Sequence, residues 1–415
     1  MRVLVISGRT ARHPWSHGPL VAAVCDALIA RGHTVSLAAQ SVEDAEMFAR
    51  CERVRAFDSF DQTATDWPLG FAAWTRQQRQ MTAHDVSISF SRVAAGDVWM
   101  PLEPSGAAWL ARIRRSHALP SQAIAIARHH GALRAWAFDA FLVTPPTGED
   151  DPIRRVLAVG STAAGEFSRT LHCARGLGER VAKVDPFGMI ARPAAEEFGR
   201  LREATRALLS VEPEQRVVLV SVPAPAGRLL DGLLAATAAA AARDRRRAPV
   251  LLMLTRDCFA LHGRAVKLGA SGQTRIMGLT HQMSAALAAA DAVALPMRSA
   301  RGLFENGGTT RLAADALAFG RPPLAVSGAP GYGMARLRSA AEITPGLVID
   351  TSSRGEWERA FSQLASDEWL ASASAAAGEI GAAMTFERFM GTLEGVLREV
   401  ATERTEGRGD RKSVV

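Results

Sequence analysis

The chain has no pair of cysteines at metal-binding or framework spacing: Cys25, Cys51, Cys173 and Cys258 stand far apart. This argues against a zinc site and against a disulfide scaffold, and the four read as small core side chains. No run approaches the roughly 18 apolar residues needed to span a bilayer. The start, MRVLVISGRT, turns polar too soon for a secretory signal, so a cytoplasmic location is expected. Lysine is scarce, and the formal charge of +7 rests almost wholly on arginines spread through the chain. Charge so spread is weak ground for a nucleic-acid surface. RDRRR at 243–247 closes an Ala-rich helix and faces its negative end. RIRR at Arg112–Arg115 reads as a solvated face, with contact to anionic lipid headgroups as the alternative. The polar, Gly-containing tail TERTEGRGDRKSVV is expected to fray.

What is present is a soluble globular composition, 48% hydrophobic and 22% charged, in a chain of 415 residues, long enough for two domains. RVLVIS, then an apolar pattern at helical spacing from Leu20 to Ile29 stopped by Gly32, then TVSLAA, form a strand, helix, strand unit of the parallel α/β type. Further strands are expected at 53, 85, 140 and 155, with helices over 68–82, 106–115 and 121–137. A second series starts at QRVVLVSV from 215 and continues through 249, 273, 291, 322 and 346. Between the two, DPFGMIARPAAEEFG has the Pro and Gly content of a connection. The expected architecture is α/β, with two doubly wound Rossmann-like domains, 1–187 and 188–385, facing across a cleft, and 386–415 a helix packing back toward the first domain before a frayed tail.

Two loops carry candidate chemistry. SGRTARHPWSHGPL joins the first strand to the first helix; Gly8 and Gly18 allow close approach of a ligand, and His17, like His13, can donate to a substrate. Its glycine spacing is too long for a dinucleotide fingerprint. FENGGTTRLAADALAFGRPPLAV, from Phe304 to Val326, crowds acid, glycine and hydroxyl groups ahead of a helix that stops at Gly320. Gly307, Gly308, Thr309 and Thr310 offer donors at a positive helix end, the requirement for holding a diphosphate, and Arg311 adds a permanent charge. Asp315 lies one turn beyond Arg311 on the same face.

The pattern MGLTHQMSAALAAADAVALP, followed by that loop and DALAFGRPPLAV, resembles the nucleotide-sugar half of family 4 glycosyltransferases of the GT-B fold. The resemblance implies that Asp315 binds the ribose of the nucleotide and that an acid eight residues upstream contacts the donor sugar. The upstream position is Gly307, and the nearest acid, Glu305, stands two residues earlier. In the first half, DVSISFSRVAAGDVWMPLEPSGAAWLARIRRS resembles lipopolysaccharide-core glucosyltransferase-like proteins, with Glu103 at an Asp position and Gly106 at a His position. Aligning VSVPAPAGRLLDGLL on the family's basic motif puts Arg228 at the diphosphate.

The resemblance implies a retaining hexosyltransferase with no cofactor and no metal. It would use a nucleotide diphospho-sugar, UDP-sugar favoured, and a cell-envelope glycan or glycolipid acceptor, with peripheral contact at the inner membrane face and no nucleic acid. Glu103, Glu305, Arg228 and Arg311 are the catalytic candidates. A non-catalytic scaffold that binds a nucleotide or a protein partner, and a sugar-nucleotide epimerase of the same fold, are the competing readings.

Overall fold

The computed structural model describes residues 1–10, 18–57, 67–91, 96–101, 153–159, 164–165, 167–169, 177–222, 228–255, 257–278, 282–295, 307–326, 346–349 and 353–412. The chain divides into two compact units, one of Met1–Asp185 with Glu387–Val415 and the other of Pro186–Phe386.

In the first unit, β1 (Arg2–Thr10), β2 (Thr34–Val42), β3 (Arg53–Ala56), β4 (Val86–Ser89), β5 (Val98–Trp99), β6 (Arg155–Val159) and β7 (Val181–Val184) form a parallel sheet in the order β3-β2-β1-β4-β5-β6-β7. Val3 to Ile6 run apolar without alternation because both faces of the strand are covered. Leu4 and Ile6 cluster with Ala38 and with Phe71 of α2 (Trp67–Met81). The period of two therefore places Val3, Val5 and Ser7 on the opposite face. That face belongs to α1 (Gly18–Ala30), which packs on β1 and β2 through Leu20, Val21, Val24, Cys25 and Leu28.

In the second unit, β8 (Val217–Ser221), β9 (Val250–Thr255), β10 (Thr274–Gly278), β11 (Ala292–Leu295), β12 (Pro323–Val326) and β13 (Leu347–Ile349) are parallel in the order β10-β9-β8-β11-β12-β13. The helices are α3 (Ala195–Leu208), α4 (Arg228–Arg243), α5 (Cys258–Lys267), α6 (Met283–Ala289), α7 (Gly307–Ala318), α8 (Arg354–Leu364) and α9 (Asp367–Ala382). Val218, Val220 and Val222 share one core with Leu233 of α4, Leu261 of α5 and Trp357 of α8.

The last helix, α10 (Phe386–Lys412), returns to the first unit. It buries Phe389, Met390, Leu393, Leu397 and Val400. Glu394 meets His33 at 2.9 Å, and Glu399 and Glu403 both receive Arg155. The helix runs to Lys412, and Glu403 and Arg404 on it have partners in the first unit. No described helix is long and apolar enough to cross a membrane. All six strands expected in the second half are present, whereas β5 and β7 were not expected, being too short to show a pattern. The expected strand at 140 and the helices over 106–115 and 121–137 lie outside the described residues.

Both sheets reverse their order of strand addition beside their first strand, and the same device joins the two strands there. Asp85 precedes β4; its amide donates to Arg2 O at 2.9 Å while its Oδ2 receives Arg2 N at 2.8 Å. Asp291 precedes β11; its amide donates to Val217 O at 2.7 Å and its Oδ2 receives Val217 N at 2.7 Å. Asp291 is buried and also holds Arg202 at 2.5 Å and Arg206 at 3.2 Å.

A third aspartate, Asp97, joins three elements, α2, β4 and α10. Its carboxylate takes Arg79 of α2 at 2.9 Å, the amide and hydroxyl of Ser87 at 2.8 and 2.6 Å, and Arg404 of α10 at 3.3 Å. Burial alone would raise this carboxyl, but Arg79, the Ser87 hydrogen bonds and Arg404 together hold it below the ordinary carboxylate range. Its stabilisation is therefore present above the unfolded carboxylate value and lost as pH falls through the lower folded one. Asp97→Asn should cost about 3 kcal/mol at neutral pH, because it leaves two arginines against an uncharged amide. Denaturant unfolding of both proteins should show this gap narrowing below about pH 4.

Candidate functional site

Where a parallel sheet reverses its order of addition, the connections on either side of the reversal leave in opposite directions, and a crevice opens at the carboxyl ends of the two strands. In the second unit these strands are β8 and β11. Their pairing ends at Val220 with Ala294, so Ser221 is the first residue of β8 past it. The chain leaving β8 enters α4 at Arg228, and the chain leaving β11 enters α7 at Gly307. Two helix N-termini, each a region of positive potential, thus arise from the strands that flank one crevice.

Ser221 adds a second signal. It is 2% exposed, and its Oγ has no hydrogen-bond partner among the described residues. A buried hydroxyl left unpaired costs on the order of 1–3 kcal/mol, a cost that a bound acceptor atom removes. Val220 and Val222, on either side of it, belong to the core beneath α4, α5 and α8. Alternation therefore turns Ser221 to the other face. That face is the one covered by α7, which packs on β11 and β12 and contributes nothing to that core.

Of the residues singled out from sequence, Arg228 is the first residue of α4, and Gly307, Gly308, Thr309, Thr310 and Arg311 are the first five of α7. The topology brings these backbone positions to one crevice; their side chains lie outside the description. Gly18 opens α1 in the first unit and is buried. His17, Glu103 and Glu305 lie outside the described residues.

Asp315 is fully placed. It is 3% exposed, and its Oδ1 receives the amides of Met189 at 2.7 Å and Ile190 at 3.0 Å. Gly188 lies so close that a Cβ there would stand 2.8 Å from the same oxygen, so any other residue would have to displace the carboxylate. The amide of Gly188 in turn donates to Met384 O at 2.9 Å, and Phe187 packs on Phe386 with ring centroids 6.0 Å apart. The two segments of the second unit where the chain enters and leaves it are thereby tied to each other and to α7. The carboxylate expected at a ribose is thus already engaged by main chain, and a ribose hydroxyl would have to share it.

The abrupt end of α7 also has a cause. Gly320 takes a left-handed φ of +66°, and the amide of Arg321 returns to Ala316 O at 2.7 Å, closing the helix. Arg321 then reaches the last carbonyls of α6, with Nε to Leu287 O at 3.1 Å and Nη2 to Ala288 O at 3.0 Å. Burial lowers this guanidinium to about 10, so it remains charged and complements the negative helix end.

Ser221 escaped the sequence reading. The available signal was an internal echo: the first strands of the two units read RVLVIS and RVVLVS, each ending in serine.

These features define a class, a pair of Rossmann-like units with a ligand crevice at a strand-order reversal. No protein-family profile matches the chain, and no curated protein sequence does. Among solved structures, the chain is similar to WaaG, a glycosyltransferase involved in lipopolysaccharide biosynthesis, with TM-score 0.72 and 14% identity over 96% of this chain and 99% of that one. It is also similar to Anabaena Alr3699/HepE in complex with UDP and glucose, with TM-score 0.65 and 13% identity over 96% and 100%. A third likeness is to the α,α-trehalose 6-phosphate synthase of Burkholderia multivorans, with TM-score 0.61 and 12% identity over 97% and 99%. At these identities the likenesses establish the fold, which is the two-unit GT-B fold.

The Asp315 geometry predicts a split between two variants. Asp315→Ala removes the acceptor from two buried amides and should lower stability by about 1–3 kcal/mol. Asp315→Asn keeps an oxygen for both amides and should lose less than half as much in the same urea titration.

Proposed function

We propose that the protein is a glycosyltransferase that takes a sugar from a nucleoside diphospho-sugar, with the donor bound at the β8/β11 crevice of the second unit. One observation carries the reading: a buried Ser221 hydroxyl, without a partner among the described residues, lies at the reversal point whose flanking strands lead into the N-termini of α4 and α7. Sugar transfer from a nucleoside diphosphate places growing negative charge on the leaving diphosphate. Preorganised amides at two helix N-termini, the Ser221 hydroxyl, and the charges of Arg228 and Arg311 are suited to stabilise it. The likeness in fold to glycosyltransferases, one of them holding UDP and glucose, supports the same chemistry.

The finer parts of the reading belong to the same proposal. UDP is the favoured nucleotide, the transferred group is a hexose, and the anomeric configuration is retained. Glu305 contacts the donor sugar, while Asp315 on α7 reaches the ribose. The first unit receives a cell-envelope glycan or glycolipid, with His17, Gly18 and Glu103 on that side. Glu103 is the residue whose loss should lower turnover without lowering donor affinity, the signature of an interaction made in the transition state.

Thermal shift with UDP, GDP and ADP tests the donor site, because a ligand bound only to the folded state raises the melting temperature. At least one should stabilise the protein, and release of that nucleoside diphosphate from its sugar conjugates should follow. Ser221→Ala and Arg228→Ala should each weaken a nucleoside diphosphate by roughly tenfold while leaving the bare nucleoside nearly unchanged, since only the diphosphate loses a charge-assisted contact. Equal losses for both ligands, or no binding by the wild type, would refute the assignment.

A further inference from the structure

Two cysteines far apart in sequence meet in the first unit. Cys25 stands on α1 and is 1% exposed, whereas Cys51 is half-buried, just beyond the single 3₁₀ turn Ala45–Phe48 that packs on α1. The expectation that both are small core side chains holds for Cys25 and not for Cys51. Each is a free thiol, and the two lie within hydrogen-bond reach of each other. Their neighbours in sequence meet as well, Arg50 Nη1 donating to Asp26 Oδ1 at 3.4 Å. The Cys51 amide donates to Phe48 O at 3.0 Å, the Glu52 amide donates to Val35 O at 2.8 Å, and Phe48 itself is buried. The short segment that carries Cys51 is therefore fixed to the core on one side and to β2 on the other, and it holds its sulfur against α1.

The contact makes the two thiols unequal. The hydrogen bond from Cys25 favours a negative charge on the Cys51 sulfur and lowers that thiol below its ordinary range, although burial and the nearby Asp26 oppose the shift. The Cys25 thiol is raised by the same hydrogen bond, then by burial and by the charge on Cys51. Cys51 is thus the thiolate, reachable by a small reagent, with a solvent-shielded thiol beside it. A pair that served only to fill the core would have both sulfurs buried.

We propose that Cys25 and Cys51 form a reversible dithiol–disulfide pair, a modification site that hydrogen peroxide oxidises. The Cys51 thiolate attacks one peroxide oxygen; the O–O bond breaks, the other oxygen leaves as hydroxide and is protonated to water, and Cys51 becomes a sulfenic acid. The Cys25 sulfur then attacks the Cys51 sulfur, the S–O bond breaks, and the departing hydroxide takes the Cys25 proton. Two thiols and one peroxide give one disulfide and two waters; each sulfur gives up one electron, and the peroxide accepts two. The bridge pins α1 to the chain beyond Phe48 and closes a loop that contains β2, which restricts the unfolded chain. This site stands independently of the transfer reading given above.

The test exposes the reduced full chain to excess hydrogen peroxide, alkylates the remaining thiols, and maps the peptides by mass spectrometry before and after dithiothreitol. A peptide pair joined through Cys25 and Cys51 should appear, two hydrogens lighter than its reduced parts, and dithiothreitol should remove it. In Cys25→Ser the reaction should stop at a Cys51 sulfenic acid that dimedone traps, and in Cys51→Ser the Cys25 thiol should stay reduced. The oxidised wild type should unfold at a higher urea concentration than the reduced protein, a shift that Cys51→Ser should lose. The absence of a joined peptide from folded protein, or bridges to Cys173 or Cys258 in its place, overturns the pair. Oxidation of Cys25 in Cys51→Ser to the same extent as in the wild type overturns Cys51 as the attacking thiol. An unchanged urea midpoint overturns the pinning of α1. Should Cys25→Ser fail to fold, the wild-type map and Cys51→Ser decide, because the half-buried position 51 takes a serine without sealing its hydroxyl from water.

Discussion

The interaction on which both sheets depend is a reciprocal lock between an aspartate and the strand it faces. Asp85 and Asp291 each give their own amide to, and take a side-chain hydrogen bond from, the first residue of the unit's first strand. A parallel ladder leaves its first amide without a partner on the side where the neighbour begins late, and a carboxylate placed one residue before that neighbour supplies the missing acceptor. The lock fixes register at the amino ends of β1/β4 and β8/β11, where the order of addition reverses and no local connection holds the strands together. Closed there, the two pairs are free to part at the carboxyl ends, and the crevices open at that edge.

From this constraint follows much of the second unit. Asp291 cannot be buried alone, and Arg202 and Arg206 of α3 reach it while also binding carbonyls near the end of α6. Arg321 joins them from beyond α7. Three guanidiniums thus gather at one helix C-terminus, where their charge opposes the helix dipole. The same helix α7, just beyond whose end Arg321 lies, opens at the crevice and is tied, through Asp315, to the chain at Met189 and Ile190. A single helix connects the ligand edge, the entry of the chain into the unit and the amino-end charge cluster.

Much of the fold was legible before any coordinates. Continuous Val, Leu and Ile runs, each followed by a helical pattern, announced β1, β2, β8, β9, β11 and β12, because strands buried on both faces need apolar residues at every position. β5, with only Val98 and Trp99, and β7, with Lys183 in its middle, carry too little pattern to be read. Helix starts at Arg228 and near Thr310 were also legible, the second lying at Gly307 in the structure, since glycine, hydroxyl and basic residues between a strand and a helix have a definite physical use. Ser7 and Ser221 were not, because a serine at a strand end is unremarkable until its hydroxyl is found buried with no partner among the described residues.

The sequence by itself determined the class: two series of parallel strands, and loops fit for an anion at helix starts. These are local properties, set by side-chain period, helix caps and charge within a dozen residues. The tertiary structure alone decided three further matters. It gave Asp315 to two backbone amides more than a hundred residues away, returned α10 to the first unit against Arg155 and Asp97, and set the buried Ser221 at the crevice of the second unit. Each depends on which distant groups a buried polar atom meets. A carboxylate with one spare turn of helix around it reads the same in sequence whether it faces a ribose or a main-chain amide; only the packing of α7 against the entering chain distinguishes them.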